Sequence, residues 1–168
     1  PNSINPKNDN DLSLLLRIGA LCNNAALDNA NNTWSIFGDP TEGALIVAAA
    51  KAGFEQKELG DQYSRKNEIP FSSERKRMTT IHSTPEGEQV AYMKGAPEIV
   101  LERCTHILKN GEIKKISSKD RNEILKINES LASDALRMLA MAYKKLPNSA
   151  NALDDEEIES GLIFVGLE

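Results

Sequence analysis

Lys94 and Gly95 are the residues of this sequence at which chemistry is first suggested. They lie in AYMKGAPEIV, residues 91–100, where an apolar stretch ends on a lysine and a glycine follows at once. A strand that ended here would hold the lysine ammonium group rigidly, and a glycine, which has no Cβ, would leave the backbone open to close approach. By itself the pair is more typical of a surface lysine followed by a turn glycine, so its meaning depends on the rest of the chain.

The general motifs of catalysis and metal binding are absent from the sequence. It contains no G-x-x-x-x-G-K-[ST] phosphate loop, no G-x-G-x-x-G after a strand and no G-x-S-x-G elbow. The two histidines, His82 and His106, lie in predicted strands without a second ligand at useful spacing, and we interpret both as partly exposed strand residues. The acidic run 154–157 lacks the spacing of a calcium loop and is interpreted as a solvated loop. Cys22 and Cys104 form no C-x-x-C pair and are predicted to be free, buried thiols.

Four segments have the spacing or the end signals of helices. The strongest is GDPTEGALIVAAAKAG, with Asp39 as N-cap, Pro40 in the first turn and Glu42 at the position that completes a capping box. The first segment is expected to break at LDNANNT, whose composition is typical of a loop. The predicted helices cover residues 12–27, 38–53, 96–104 and 117–136.

Strands are predicted mainly as hairpins. Residues 77–94 form one hairpin around the turn TPEGE, and residues 105–116 form a second one around Asn110-Gly111. Buried strands are further expected at 137–146 and 161–168. Hairpins with helices between them predict an α+β fold, a mainly antiparallel sheet flanked by helices.

Composition and charge restrict the possible functions. The 168 residues suggest a single domain, 1–168, in which the polar residues 1–11 are a frayed end or a linker remnant. A net charge of −5 argues against a nucleic-acid binder, which would show a basic surplus. The longest apolar run, 44–50, is far shorter than the roughly 20 residues of a membrane span. We therefore expect no nucleic-acid partner and no insertion of this chain into a membrane.

Four clusters, taken together, change the interpretation of Lys94 and Gly95. GDPTEGA, PFSSERKRM, MKGAPE and ALRMLAMAY follow one another at domain-sized spacing. In this order they resemble the nucleotide-binding domain of cation-transporting P-type ATPases, and most closely the calcium-pump-like subgroup. The segments IGALCNNA and LIFVGLE are similar to the entry and exit of that domain, so the resemblance covers nearly the whole chain.

The resemblance implies an adenine site made by four of these residues. Phe71 matches the aromatic residue that stacks on adenine, and the alternative is a core phenylalanine at a strand end. Lys94 and Gly95 match the lysine at the adenine pocket and the glycine beside it, where a flat base would approach the backbone. Glu42 matches the acidic residue at the adenine edge, and it is also a suitable capping partner for Asp39. A carboxylate only accepts hydrogen bonds, so it would favour adenine, which offers an amino donor, over guanine, which offers an acceptor.

The resemblance also implies residues that would contact the nucleotide outside the adenine site described above. Lys76 matches a lysine that lines the site, and Arg137 matches an arginine at the phosphates, for which a planar, always-charged donor fork is suited. Met78 and Leu139 would supply apolar walls. Ser73 lies where many relatives carry a basic residue, so a phosphate contact at that position is not expected.

The resemblance also implies what the chain would do. The D-K-T-G-T motif of the phosphorylated aspartate and the T-G-E-S loop are absent, so the chain alone should bind ATP, with Mg²⁺ accompanying the nucleotide, and not turn it over. In a pump it would present the γ-phosphate to the phosphorylation domain of the same polypeptide, with the actuator domain as a further partner, at the cytoplasmic face of a membrane. Two alternatives stay open at this point, an interaction or regulatory module of the same fold that no longer binds nucleotide and a small free-standing hydrolase.

Overall fold

The structure, a computed structural model, describes residues 5–30, 33–147 and 153–168. After a short 3-10 turn at Pro6–Asn8, regular elements follow one another with short connections. The helices are α1 Asn10–Leu21, α2 Pro40–Lys51, α3 Gln56–Gln62, α4 Pro97–Arg103, α5 Ser118–Ser133 and α6 Asp155–Ile158. The strands are β1 Ala26–Ala30, β2 Thr33–Phe37, β3 Arg65–Ile69, β4 Arg77–Ser83, β5 Gln89–Gly95, β6 Cys104–Lys109, β7 Glu112–Lys115, β8 Ala140–Leu146 and β9 Leu162–Leu167.

A seven-stranded sheet is the centre of the fold. Its order is β3-β4-β5-β8-β9-β6-β7, and every neighbouring pair is antiparallel except β6 and β9, which run parallel. Strands β1 and β2 form a separate two-stranded sheet. The predicted class, α+β with a mainly antiparallel sheet flanked by helices, is confirmed.

Both faces of the central strands are covered, which explains their nearly continuous apolar sequences. Because side chains alternate along a strand, Tyr92 of β5 packs on one face and Met93 on the other. The Tyr92 face is covered by α1, α2 and α3 through residues such as Ile18 and Leu45. The Met93 face is covered by α4 and, less completely, by α5, which has no buried residue of its own.

Several predicted elements are confirmed. Helix α2 begins after the Asp39 cap, β4 and β5 form the hairpin expected at 77–94, and β6 and β7 form the second hairpin. Asn110 and Gly111 of that hairpin have φ values of 54° and 77°, the positive values that a type I′ turn requires. Both cysteines are free and buried, as predicted.

The first helix is shorter than predicted, and part of the segment predicted as a loop forms a strand. Helix α1 ends at Leu21, where the Asn23 side chain donates to the Gly19 carbonyl (2.9 Å) and accepts from the Ala25 amide (2.8 Å). Residues 27–30 of the predicted break instead belong to β1, which pairs with β2, and residues 31–32 lie outside the described residues. This hairpin lies against α2, where Ile36 occupies the space that a side chain at Gly43 would need.

Other predictions at this level were wrong in detail. The acidic run predicted as a loop contains α6, because Asp154 and Glu157 form a reciprocal capping box. The strand predicted from residue 137 begins only at Ala140, and α3 was not predicted. Of the polar segment 1–11, residues 1–4 lie outside the described residues, whereas residues 6–8 and the start of α1 are regular. Within the described residues no helix has both the length and the apolar character needed to span a bilayer.

His82 is buried in β4, contrary to the prediction, whereas His106 is partly exposed as predicted. The Nδ1 atom of His82 lies 2.9 Å from the Tyr63 carbonyl oxygen and must carry the proton, because a carbonyl only accepts hydrogen bonds. Nε2 then accepts from the Thr80 hydroxyl at 2.9 Å. Burial lowers the pKa of His82 below its ordinary 6.5.

This burial makes stability depend on pH. Since the pKa is lower in the folded chain, the contribution of neutral His82 is complete above pH 6.5 and is lost as the pH falls through the folded value. The free energy of unfolding should therefore fall more steeply between pH 7 and pH 5 in the wild type than in His82→Gln. Each unit of lowered pKa corresponds to about 1.4 kcal/mol. Denaturant unfolding at both pH values measures this, and parallel pH profiles would contradict it.

Candidate functional site

A cleft of about 770 Å³ opens where β4 begins and β5 ends, between α2, α5 and the segment before β8. All eight residues predicted from the sequence line it, although they come from four separate stretches of chain. These residues are Glu42, Phe71, Lys76, Met78, Lys94, Gly95, Arg137 and Leu139. The fold thus brings the predicted set together at one place.

A buried ion pair lies in this cleft. The Lys94 ammonium nitrogen is 2.6 Å from Glu42 Oε1, and the two side chains are only 7% and 18% exposed. Glu42 Oε2 accepts from the Asn24 backbone amide at 3.1 Å. Removing one partner of such a pair leaves the other charge buried alone, which typically costs roughly 3–5 kcal/mol. The pair therefore holds α2 against the end of β5.

Glu42 does not complete the capping box that its spacing predicted. Asp39 caps α2 by accepting from the amides of Thr41 (2.8 Å) and Glu42 (3.3 Å). The Glu42 carboxylate instead faces Lys94 and Asn24. The attraction of a buried ammonium group outweighs a reciprocal bond at a solvated helix end, so this carboxylate belongs to the cleft.

Electrostatics near the ion pair follow from burial and from the start of α2. The amides of Thr41 and Glu42 lower the pKa of the Asp39 carboxyl, and the nearby Arg137 charge lowers it further. Burial raises the pKa of Glu168 to about 7, and the Lys94 charge acts in the opposite direction. Arg137 itself is exposed, in the irregular segment between α5 and β8. The Lys94 charge therefore lies within the cleft, and the Arg137 charge lies in its exposed wall, where it acts on the Asp39 carboxylate.

Gly95 is required by packing within the protein. A Cβ added there would lie 2.5 Å from the Lys76 carbonyl oxygen and 2.9 Å from Arg77 Cα. The next residue, Ala96, donates its amide to the same carbonyl at 3.0 Å. The predicted reason for this glycine, close approach of a flat base, is therefore not needed to explain it. Its first role is to let β5 end against the backbone at the start of β4.

The segment between β3 and β4 supplies one wall of the cleft. Phe71 is 56% exposed, so the alternative that it is a core residue is wrong. Lys76 is exposed and has a φ of 51°, a left-handed conformation uncommon for a residue with a side chain. Met78 is almost fully buried beneath the cleft and Leu139 is partly buried, so these two offer apolar surface from the core side.

The comparison with known protein families identifies the domain. A family model described as "P-type ATPase, cytoplasmic domain N" matches residues 11–168. The chain belongs to this family. The resemblance stated from the four sequence clusters is thereby confirmed.

Curated relatives of this N domain are much longer proteins. Calcium-transporting ATPase 1 of Bacillus cereus is 42% identical over 160 residues, which are 95% of this chain and 17% of that protein. Cation-transporting ATPase pma1 of Synechocystis is 42% identical over 91% of this chain and 16% of its own length. A calcium-transporting ATPase of Bacillus subtilis is 35% identical over 93% of this chain and 17% of its own length. The chain spans less than one fifth of the length of the curated relatives it matches.

Sequence reasoning missed several residues that line the N-domain cleft. Asn24 and Thr41 flank Glu42 in space, and Asn128 and Ala132 lie one turn apart on α5. The i, i+4 spacing of Asn128 and Ala132 was a usable signal that they share a helix face. Asn24 gave no such signal, because its place depends on the early end of α1. Among the described residues, no group of three or more His, Cys, Asp or Glu side chains is placed to hold a metal ion.

The packing of Gly95 predicts a loss of stability that needs no ligand. Gly95→Ala should lower the free energy of unfolding by about 1–3 kcal/mol, because the new methyl group meets backbone atoms that cannot move aside. Gly60→Ala in α3 is the matched control, since no atom lies within 4 Å of its added Cβ. This control should be neutral or slightly stabilising. Urea unfolding of both variants measures the difference, and equal stabilities would contradict the packing argument.

Proposed function

We propose that the cleft binds ATP by its adenine end. The observation that carries this proposal is the convergence of eight residues, predicted from four separate sequence clusters, on one cleft of this N domain. A cavity of about 770 Å³ is within the size range of small-molecule sites. Its apolar surfaces from Phe71, Met78 and Leu139, beside one buried ion pair, suit a flat heterocycle with polar edges.

For the base, we propose that Phe71 stacks on adenine and that Glu42 accepts a hydrogen bond from its amino group. The exposed ring of Phe71 is free to receive a base, and such stacking is worth roughly 1–3 kcal/mol. Each Glu42 oxygen accepts one bond within the protein and retains further acceptor capacity. Lys94 neutralises this carboxylate and holds it in place.

For the phosphates, we propose Lys76 and Arg137 as the binding cations. Both are exposed and line the cleft. Arg137 carries a planar donor fork that suits phosphate oxygens, and Lys76 supplies a point charge. Mg²⁺ would arrive with the nucleotide, ligated mainly by phosphate oxygens.

In the whole protein, we propose that this domain presents the γ-phosphate of ATP to an aspartate of a phosphorylation domain, with an actuator domain as a further partner in the same polypeptide. Such a role is positioning catalysis, which brings the reacting groups together. The names of the relatives support a cation pump, and most often a calcium pump. The domain would then work at the cytoplasmic face of a membrane and bind ATP without turning it over alone. An interaction module that has lost its nucleotide remains the alternative that the experiments below test.

The Glu42 proposal predicts a preference for ATP over GTP. In a nitrogen–proton NMR titration of the 168-residue chain, ATP should shift the amides of Phe71, Lys94, Gly95 and Glu42, and GTP at equal concentrations should shift them much less. The ligand is varied rather than Glu42, because its replacement would leave Lys94 unpaired. Equal responses to both nucleotides would contradict the role of Glu42. No response at millimolar ATP would favour the interaction module.

Phe71→Ala separates binding from folding. It should weaken ATP binding by about 1–3 kcal/mol, roughly 5- to 150-fold in the dissociation constant. Because Phe71 is exposed, the free energy of unfolding should change by less than about 0.5 kcal/mol. Phe37→Ala removes a similarly exposed phenylalanine outside the cleft and should leave the affinity unchanged. Equal affinities of the two variants in calorimetric titrations would contradict stacking on Phe71.

A further inference from the structure

The loop 70–76, which carries Phe71 and Lys76, has no buried side chain. Its ends continue into β3 and β4, whose neighbouring residues Ile69 and Arg77 are buried. Within the loop, the Lys76 amide donates to the Ser72 carbonyl at 2.8 Å, and Lys76 then takes its left-handed conformation. A loop of this kind cannot be held by apolar packing, so polar contacts must set its shape.

The side chain of Arg75 supplies such polar contacts, because it forms hydrogen bonds at both ends of the loop. Its guanidinium group donates to the Pro70 carbonyl at 2.9 Å and to the Arg77 carbonyl at 3.3 Å. The first of these carbonyls belongs to the residue directly before Phe71, and the second belongs to the residue directly after Lys76. The orientation of one guanidinium group thus determines the spacing between the two residues proposed to bind nucleotide.

Glu159 holds this guanidinium group from outside the cleft. Its carboxylate is 1% exposed, and Oε2 accepts from Arg75 Nη1 at 2.9 Å and from Arg77 Nε at 2.7 Å. Oε1 accepts from the Thr79 hydroxyl at 2.8 Å, which ties the same group to β4. Glu159 is the C-cap residue of α6 and does not line the cleft.

We propose that Glu159 is a positioning residue for the nucleotide site. Through Arg75 and Arg77 it sets the conformation of the loop, and it thereby holds Lys76 and Phe71 at the cleft. The effect on affinity rests on the proposed ATP function, whereas the effect on the loop conformation does not. A neutral amide at this position keeps the shape of the side chain but loses the charge that orients two guanidinium groups.

The first test compares Glu159→Gln with Glu156→Gln. The control removes the same charge within α6, at an exposed residue whose carboxylate pairs with Arg103 and not with the arginines of the loop. We expect about tenfold weaker ATP binding for Glu159→Gln and less than about twofold for Glu156→Gln. The ¹³Cα and ¹³Cβ shifts of Lys76 should move away from left-handed values only in Glu159→Gln. Unchanged shifts together with unchanged affinity would overturn the proposal.

A double-mutant cycle distinguishes positioning from general stability. Lys76→Ala should weaken ATP binding less in the Glu159→Gln background than in the wild type, because the lysine is already misplaced there. Arg137→Ala, on a segment that Glu159 does not touch, should have the same effect in both backgrounds. Additive effects of Glu159→Gln and Lys76→Ala would overturn the positioning role.

Two further outcomes are covered by the same design. If Glu159→Gln does not fold, Arg75→Gln replaces it, since Arg75 is partly exposed and Arg77 keeps its bond to Glu159. If the wild-type chain binds no ATP at millimolar concentration, the proposed function fails and the affinity part of this proposal fails with it. In that case, the ¹³Cα and ¹³Cβ chemical shifts of Lys76 are the only measurement that tests whether Glu159 determines the conformation of the loop.

Discussion

The ion pair between Lys94 and Glu42 is the interaction on which the cleft depends. It joins residues 52 positions apart, one at the start of α2 and one near the end of the central strand β5. If either partner were removed, the other would remain in the partly buried cleft as an unpaired charge, and α2 would lose its ionic contact with the end of β5. The helix, the strand end and the short segment with Asn24 all take their places around this pair.

A second buried carboxylate works on a different side of the same architecture. Glu159 gathers Arg75, Arg77 and Thr79 away from the cleft, whereas Glu42 holds Lys94 within it. Because the strand register pairs Arg77 with Gly95, Arg77 at the start of β4 lies beside the end of β5, where Lys94 is located. Gly95 makes this close pairing possible, because any side chain there would meet the backbone of Lys76 and Arg77. The cleft is thus built between two sets of buried charges, on a sheet whose apolar faces are already covered.

Local signals predicted the elements that depend on nearby residues. Asp39 and Pro40 predicted the start of α2, and Asn110-Gly111 predicted the turn of a hairpin, since caps and turns are decided by a few adjacent positions. The hairpin β1–β2 was not predictable in the same way. Its first strand, ALDNA, contains Asp and Asn, which are uncommon in strands, and the hairpin depends on the early end of α1 and on the contact of Ile36 with Gly43. The burial of His82 was likewise missed, because a histidine in a strand gives no sign of which neighbours cover it.

By itself, the sequence determined the family, the α+β class and eight of the residues that line the cleft, because the four clusters keep their residue types and order. Only the tertiary structure decided what these residues contact. In the folded chain, the Glu42 carboxylate contacts Lys94 instead of capping its helix, and the Phe71 ring is exposed to solvent. Gly95 is required there for close packing of the backbone. The tertiary structure also brought Glu159 to the loop 70–76 from more than 80 positions along the chain. Each of these outcomes depends on long-range pairing of charges and strands, which local sequence patterns do not encode.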